Sequence, residues 1–171
     1  MYEEIIIAGS GGQGIMFLGN LLCNVAVSQN KHTTFFPSYG AEIRGGTANC
    51  SVIISDDEIG SPVIAEPSIL IIMNEQSYHR FLPKLKKGKL LFVNSSLVYS
   101  KSPEAIYVPA TEIASQIGDV RAANMVMMGK FIKDTKIFPV AIVNDIIKNV
   151  LKNKKNLLEI NLSAFMRGTK L

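Results

Sequence analysis

The sequence predicts a single-domain, three-layer α/β sandwich built on a mostly parallel sheet. Three observations support this. Apolar runs of strand length alternate with segments of helical periodicity, which favours a parallel sheet covered by helices on both faces. The run SILIIMN (68–74) is apolar almost throughout, as is typical of a central parallel strand. A length of 171 residues fits one domain, which we place at 1–171.

The first strand is predicted over residues 4–8, a short β-branched run that a glycine ends. A helix from 14 to 29 follows it, since apolar side chains recur there at helical spacing: Ile15, Leu18, Leu22, Val25 and Ala26. A second strand is predicted at 32–36. One proline and three glycines then indicate a loop over 37–46.

Residues 47–55 alternate between apolar and polar side chains, so we expect a half-buried strand. Its apolar face would carry Ala48, Cys50, Val52 and Ile54, and its polar face Thr47, Asn49, Ser51 and Ser55. Residues 47–62 are expected to add an antiparallel element to the sheet.

The second half continues the alternation, with a helix predicted at 75–85 and strands at 89–94 and 105–109. The remainder is predicted to be helical, with apolar stripes on successive helices and a last short helix at 157–165. The stripes consist of Val120, Ala123, Met127, Met128 and Phe131, and of Val143, Ile146, Ile147, Val150 and Leu151. The order of elements is Rossmann-like.

Composition excludes several classes of protein. The chain is 47% hydrophobic and 19% charged, which is typical of a globular domain. No apolar run reaches the roughly 18 residues that span a membrane, and the start MYEEIII carries acids where a secretory signal needs bases. We therefore expect a cytoplasmic protein without a membrane partner.

Cys23 and Cys50 are too few for a structural zinc site or an iron–sulfur cluster, so we interpret them as buried thiols and expect no metal on this chain. The net charge of +4 comes largely from KLKKGK (84–89) and KNKKN (152–156), where helices should end. Interleaved aromatic and arginine side chains are lacking there, so nucleic-acid binding is not expected.

The stretch GSGGQG (9–14) lies between the first strand and the first helix, where main-chain N–H groups can face an anion. Its glycines satisfy G-x-G-x-x-G. A dinucleotide site also needs an acid after the second strand, and TTFFPS has none. A Walker A loop would carry lysine and serine or threonine where Ile15 and Met16 stand, and Ala8 breaks the nucleophile-elbow pattern around Ser10.

Two interpretations of this turn stay open. Gly11, Gly12 and Gly14 could serve only to let the helix pack close to the sheet. Alternatively, the turn binds a ligand or a neighbouring subunit, with the Gln13 side chain as a hydrogen-bonding group at the carboxyl edge of the sheet. These four residues are our candidate cofactor-binding residues from the turn, and no residue is predicted to be catalytic.

Five segments together carry a family likeness: GSGGQG (9–14), PSYGAEIRGGTANCSVIISDDEIGSPVI (37–64), NEQSY (74–78), RAANMVMMGKF (121–131) and NLSAFMRG (161–168). In order and spacing they resemble the gamma subunit of 2-oxoacid:ferredoxin oxidoreductases over nearly the whole chain. SYGAEIRGG is similar to the 2-oxoglutarate type, with branched-chain relatives close behind.

The resemblance implies a multi-subunit cytoplasmic enzyme that decarboxylates a 2-oxoacid, transfers the acyl group to coenzyme A and reduces ferredoxin. It implies partner alpha and beta subunits, with a delta subunit left open, and these partners would hold thiamine diphosphate, magnesium and the iron–sulfur clusters. This chain would bind no cofactor tightly alone, and coenzyme A would be a cosubstrate. Two alternatives stay open, namely an indolepyruvate- or branched-chain-type subunit and a stand-alone nucleotide-binding module.

Arg44 is the remaining candidate site residue. It lies two residues after Glu42, so the two side chains point the same way if the segment is extended. Three roles remain open: an intrachain pair with Glu42, a contact to the phosphates of coenzyme A, for which the guanidinium fork is suited, and a contact to a partner subunit.

Overall fold

The fold is a six-stranded sheet in the order β2-β3-β1-β4-β5-β6, seen in a computed structural model that describes residues 1–39 and 47–171. The strands are β1 Tyr2–Ser10, β2 His32–Tyr39, β3 Thr47–Ser55, β4 Ile69–Ile72, β5 Leu90–Asn94 and β6 Ala105–Val108. The helices are α1 Ile15–Ser28, α2 Glu75–Phe81, α3 Ala110–Ile117, α4 Ala123–Thr135, α5 Val140–Leu151 and α6 Lys155–Gly168. Short 3₁₀ turns lie at Leu82–Lys84 and Val120–Ala122.

The strand directions confirm the predicted fold class. Strands β1, β4, β5 and β6 are parallel neighbours. Strand β3 runs antiparallel to both β1 and β2, so it is the antiparallel element expected after residue 47. Strand β3 is thus the single reversed strand of this sheet, and the carboxyl ends of the other five lie at one edge.

Two apolar cores cover the two faces of the sheet. The larger one packs sheet residues such as Ile7 and Phe92 against α1, α3, α4, α5 and α6. The smaller one packs residues such as Leu70 against Tyr78 and Phe81 of α2. Of the helices in the described ranges, α2 alone contributes to the smaller core, so the two outer layers are unequal.

Three local predictions were wrong. Strand β2 runs on to Tyr39, through part of the predicted loop, because β2 is an edge strand, where proline is tolerated. Strand β3 is not half-buried: Thr47, Asn49 and Ser55 are buried because β3 lies between two other strands. The helix predicted to reach residue 85 ends at Phe81 and tightens into a 3₁₀ turn that contains Pro83.

Two glycines allow a close contact between α4 and α6. A Cβ atom on Gly129 would lie 2.1 Å from the carbonyl oxygen of Phe165, and one on Gly168 would lie 2.0 Å from that of Val126. Helices α4 and α6 therefore touch backbone to backbone, and the segments MVMMGKF and AFMRG are the two sides of this crossing. Over the ranges that the structure describes, no helix is long and apolar enough to cross a membrane.

Candidate functional site

The glycine turn connects β1 to α1 at the carboxyl edge of the sheet. Gly12 has φ 88° and Gly14 has φ 69°, and both values lie in the left-handed region that favours glycine. Gly14 is also the N-cap of α1. Two of the glycines are therefore required by the backbone path itself.

The Gln13 side chain folds back over the turn. Its Oε1 accepts a hydrogen bond from the Ser10 N–H (2.7 Å), and its Nε2 donates to the Met73 carbonyl oxygen (3.3 Å). A Cβ atom on Gly9 would lie 2.5 Å from this Oε1, so glycine at position 9 makes room for the side chain. Gln13 thus joins the end of β1 to the end of β4.

Asn124, the second residue of α4, lies against Gly14. Its Nδ2 donates to the Gly14 carbonyl oxygen (3.1 Å), and a Cβ atom on Gly14 would lie 2.3 Å from that nitrogen. Asn124 is only 3% exposed, and its Oδ1 has no hydrogen-bond partner among the described residues. Sequence reasoning missed Asn124, because nothing local links it to a turn 110 residues away.

Gly11 differs from the other glycines of the turn. No described atom lies within 4 Å of a Cβ atom built on it, and its φ is not positive. Among the residues that the structure describes, no acceptor engages the N–H groups of Gly11, Gly12 and Gly14. Gly11 and Gly12 are also exposed, so the outer surface of the turn is main chain whose N–H groups are not engaged by the described residues.

Asn94 is a second residue that sequence reasoning missed. It ends β5 and is fully buried, and its Nδ2 donates to the Met73 carbonyl oxygen (3.2 Å) and to Thr111 Oγ1 (2.9 Å). Its Oδ1 accepts from the N–H groups of Ser96 (3.3 Å) and Thr111 (3.4 Å). The Met73 carbonyl is therefore shared by Gln13 and Asn94, and one polar network ties the ends of β1, β4 and β5 to the start of α3.

A cleft of about 160 Å³ opens beside the turn. Its lining is mostly apolar and main chain: Gly12, Gln13, Leu97, Thr111, Val120, Arg121 and Ala123. Arg121 forms a bidentate pair with Asp119 at 2.8–3.1 Å, and this pairing lowers the pKa of the Asp119 carboxyl. The cleft can therefore receive an apolar group with a hydrogen-bond acceptor.

Glu75, the first residue of α2, holds the loop that follows β5. Its carboxylate accepts hydrogen bonds from the Ser100 hydroxyl, the Tyr99 N–H (2.6 Å) and the Ser100 N–H (3.3 Å), and it pairs with His79 Nε2 (2.9 Å). The Ser100 hydroxyl and these other hydrogen bonds lower the pKa of Glu75 from 4.5 to about 2. Tyr99, whose side chain is 76% exposed, is thereby held at the protein surface.

Arg44 and Glu42 lie outside the described residues, so their predicted roles stay predictions. Among the described residues, the Arg80 guanidinium donates from Nη1 to Thr47 Oγ1, at the first residue of β3. Within the described ranges, no carboxylate lies within 4 Å of Arg80. Sequence reasoning did not select this arginine, because only the sheet topology brings α2 beside β3.

The two cysteines differ in burial. Cys50 is buried as expected, and burial raises the pKa of its thiol to about 12. Cys23 is only partly buried, in contrast to the expectation. No group of three or more His, Cys, Asp or Glu side chains in the described part of the chain could hold a metal ion.

A family model described as pyruvate ferredoxin/flavodoxin oxidoreductase matches residues 4–171. The chain is 36% identical to the 2-oxoglutarate synthase subunit KorC of Methanocaldococcus jannaschii, with 98% of this chain and 92% of that protein covered. It is 35% identical to the ketoisovalerate oxidoreductase subunit VorA of Methanothermobacter marburgensis, with 96% of this chain but 35% of that protein covered. The chain thus spans about a third of the ketoisovalerate relatives that it matches.

Two solved structures have a similar fold. The gamma subunit of a keto/oxoacid ferredoxin oxidoreductase from Geobacter sulfurreducens has a TM-score of 0.85 and 25% identity, with 98% of this chain and 96% of that chain covered. A 2-oxoglutarate:ferredoxin oxidoreductase from Magnetococcus marinus, with 2-oxoglutarate, coenzyme A and succinyl-CoA bound, has a TM-score of 0.87 and 21% identity. That likeness covers 99% of this chain and 30% of the longer chain, and at this identity it concerns the fold alone.

Proposed function

The chain belongs to the pyruvate ferredoxin/flavodoxin oxidoreductase family, and from this premise we propose that it is the gamma subunit of a multi-subunit 2-oxoacid:ferredoxin oxidoreductase. The complex would convert a 2-oxoacid, coenzyme A and oxidised ferredoxin to acyl-CoA, carbon dioxide and reduced ferredoxin, in the cytoplasm. The observation that carries this proposal is the match to a 2-oxoglutarate synthase subunit along nearly the whole of both chains.

We further propose 2-oxoglutarate as the substrate of the complex. Four relatives named as 2-oxoglutarate synthase subunits are 28–36% identical, and each is covered over at least 85% of its length. A branched-chain oxoacid is the second candidate, favoured by the 35% identity to a ketoisovalerate oxidoreductase subunit. An indolepyruvate oxidoreductase subunit is less similar, at 24% identity.

The role of this chain would be to complete the assembly and to contribute to the coenzyme A pocket. The N–H groups of Gly11 and Gly12 meet no acceptor in the described part of the chain and lie beside a mostly apolar cleft, which supports a contact at this edge of the sheet. Arg44 would reach either coenzyme A phosphates or a partner. Thiamine diphosphate, magnesium and the iron–sulfur clusters would be held by alpha and beta subunits, with a delta subunit as an open addition.

The decisive experiment is co-expression with the genes of candidate partner subunits, followed by a coenzyme-A-dependent viologen reduction assay. We expect a stable complex that reduces viologen with 2-oxoglutarate, and the same assay with 2-oxoisovalerate, pyruvate and indolepyruvate compares the alternatives. An intact complex without activity on any 2-oxoacid would contradict the proposal. Tight binding of NAD(P) or ATP by the chain alone, measured by calorimetry, would favour the nucleotide-binding alternative.

Two variants of the active complex separate the proposed contacts. Arg44→Ala should raise the KM for coenzyme A if Arg44 reaches that cosubstrate, and should weaken assembly if it contacts a partner. Gly11→Ala adds one methyl group that meets no atom of residues 1–39 and 47–171, so it should leave the fold of these residues intact and impair a contact made from outside them. Unchanged assembly and unchanged KM in Gly11→Ala would place the contact elsewhere.

A further inference from the structure

Gln13 is the side chain of the glycine turn for which the sequence leaves open a contact with a ligand or a partner. The structure uses both ends of its amide inside the chain. Oε1 accepts from the Ser10 N–H at 2.7 Å, and Nε2 donates to the Met73 carbonyl at 3.3 Å. An amide engaged at both ends within its own fold has less capacity left for a partner.

The contacts around Gln13 hold the glycine turn in place. The missing Cβ of Gly9 leaves the space that Oε1 occupies, at 2.5 Å from where that carbon would stand. The Met73 carbonyl also accepts from Asn94 Nδ2 at 3.2 Å. Gln13 therefore couples the turn to the buried network at the ends of β4 and β5.

The same geometry leaves the main chain of the turn facing outward. Gly11 and Gly12 are exposed, and no acceptor in the described part of the chain engages their N–H groups. Since glycine is the most flexible residue, a turn with four glycines in six residues needs a restraint to hold these donors in one arrangement. Gln13, together with Asn124 at Gly14, supplies it.

We propose that Gln13 is a positioning residue: it holds the glycine turn so that the main chain at Gly11 and Gly12 contacts a partner subunit of the oxidoreductase, and its own side chain does not. This inference rests on the proposed function, in which the chain assembles with partner subunits. In this proposal the partner is recognised by main-chain groups that are already held in place, and not by the Gln13 side chain. A pre-organised main chain loses less conformational entropy on binding.

The test compares two variants of Gln13 in the full-length chain and in its complex. Gln13→Met keeps the length of the side chain and removes both hydrogen bonds. Gln13→Glu keeps the acceptor for Ser10 and loses the donor to Met73 while it is ionised; on protonation its O–H can donate to that carbonyl again. Gln116→Glu is the matched control, because Gln116 is exposed and uses its side-chain oxygen as an acceptor for Arg167.

Two readouts are measured: hydrogen exchange of the Ser10 amide in the chain alone, and the dissociation constant of the complex. For Gln13→Met we expect the Ser10 amide to exchange at least about fivefold faster, because it loses one hydrogen bond of net value about 1 kcal/mol. We also expect the dissociation constant of the complex to rise at least about fivefold. For Gln13→Glu we expect weakened assembly at pH 8 that recovers, relative to the wild type at the same pH, as the pH falls toward about 4, where a glutamate side chain becomes protonated. Gln116→Glu should match the wild type in both readouts.

Weakened assembly of Gln13→Met with unchanged Ser10 exchange would overturn the proposal, because it would show that Gln13 touches the partner directly. Faster exchange with unchanged assembly would also overturn it, because the order of the turn would then not matter for the contact. If Gln13→Met does not fold, the pH recovery of Gln13→Glu decides, and no recovery refutes the role of the Met73 hydrogen bond. Failure of the wild-type chain to assemble with any partner would instead refute the proposed function.

Discussion

Replacing Gly14 by alanine tests the link between the glycine turn and α4 most directly. Two costs follow from the structure. A φ of 69° is unfavourable for a residue with a Cβ atom, at about 1–2 kcal/mol. The added methyl carbon would stand 2.3 Å from Asn124 Nδ2, so the amide must move and lose its hydrogen bond to the Gly14 carbonyl, a net cost of about 1 kcal/mol.

Together these costs amount to a minimum of about 2 kcal/mol, and overpacking against a side chain that is only 3% exposed adds to them. In a chain of this size, about 2 kcal/mol lowers the melting temperature by about 4–8 °C. The assay is thermal unfolding of the full-length chain followed by circular dichroism. Gly11→Ala is the matched control, with an expected change within about 1 °C, since no atom of the described residues lies within 4 Å of its added methyl group.

A double-mutant cycle with Asn124→Ala identifies the partner. In the Asn124→Ala background the overlap and the hydrogen bond are already gone, so Gly14→Ala should cost only the backbone strain of about 1–2 kcal/mol. If Gly14→Ala lowered the stability equally in the wild type and in Asn124→Ala, the contact between Asn124 and Gly14 would be refuted. A melting temperature within about 2 °C of the wild type for Gly14→Ala alone would refute the whole argument.

Three further outcomes are expected. Gly168→Ala places a methyl carbon 2.0 Å from the Val126 carbonyl oxygen, so chemical denaturation should show a loss of about 1–3 kcal/mol or more, whereas Gly60→Ala, with open space around it, should unfold like the wild type. The carboxyl of Glu75 has its pKa lowered from 4.5 to about 2; its stabilising contribution is therefore complete above pH 4.5 and is lost as the pH falls toward 2. Glu75→Gln should flatten the measured dependence of stability on pH in that window, and an unchanged slope would contradict the assignment. Cys50, with a thiol pKa of about 12, should resist iodoacetamide at pH 8 in the folded chain and react in urea; mass spectrometry that finds it modified in the native protein would show that it is not sequestered.

Local sequence patterns were sufficient to predict the fold class, because the periodicity that indicates each strand or helix lies within a few consecutive residues. The apolar run at 68–74 did become an inner parallel strand. Of the predicted stripe on α5, Val143, Ile147 and Leu151 are buried in the core, whereas Val150 is exposed. Errors occurred where burial depends on neighbours in the sheet. Thr47 and Asn49 are polar and alternate with apolar residues, yet they are buried, because strands on both sides of β3 enclose it.

The site was predictable only in part. Sequence reasoning found the turn itself, because glycines between a strand and a helix are a local signal. It could not find that Gln13 is already engaged by Ser10 and Met73, since the second contact spans 60 residues of chain. It could not find Asn94, which reads as an ordinary strand end until Thr111 is brought beside it.

The sequence by itself determined the types and order of the elements, the position of the glycine turn and the family likeness, because periodicity, turn residues and motif spacing are properties of the linear chain. Only the tertiary structure decided what each glycine does. Gly9 makes room for a side chain, Gly12 and Gly14 adopt left-handed backbone, and Gly11 meets no atom of the described chain. These roles depend on which atoms the packed sheet and helices bring within a few ångströms, and that proximity, as between Gly14 and Asn124, is created by packing rather than by spacing along the chain.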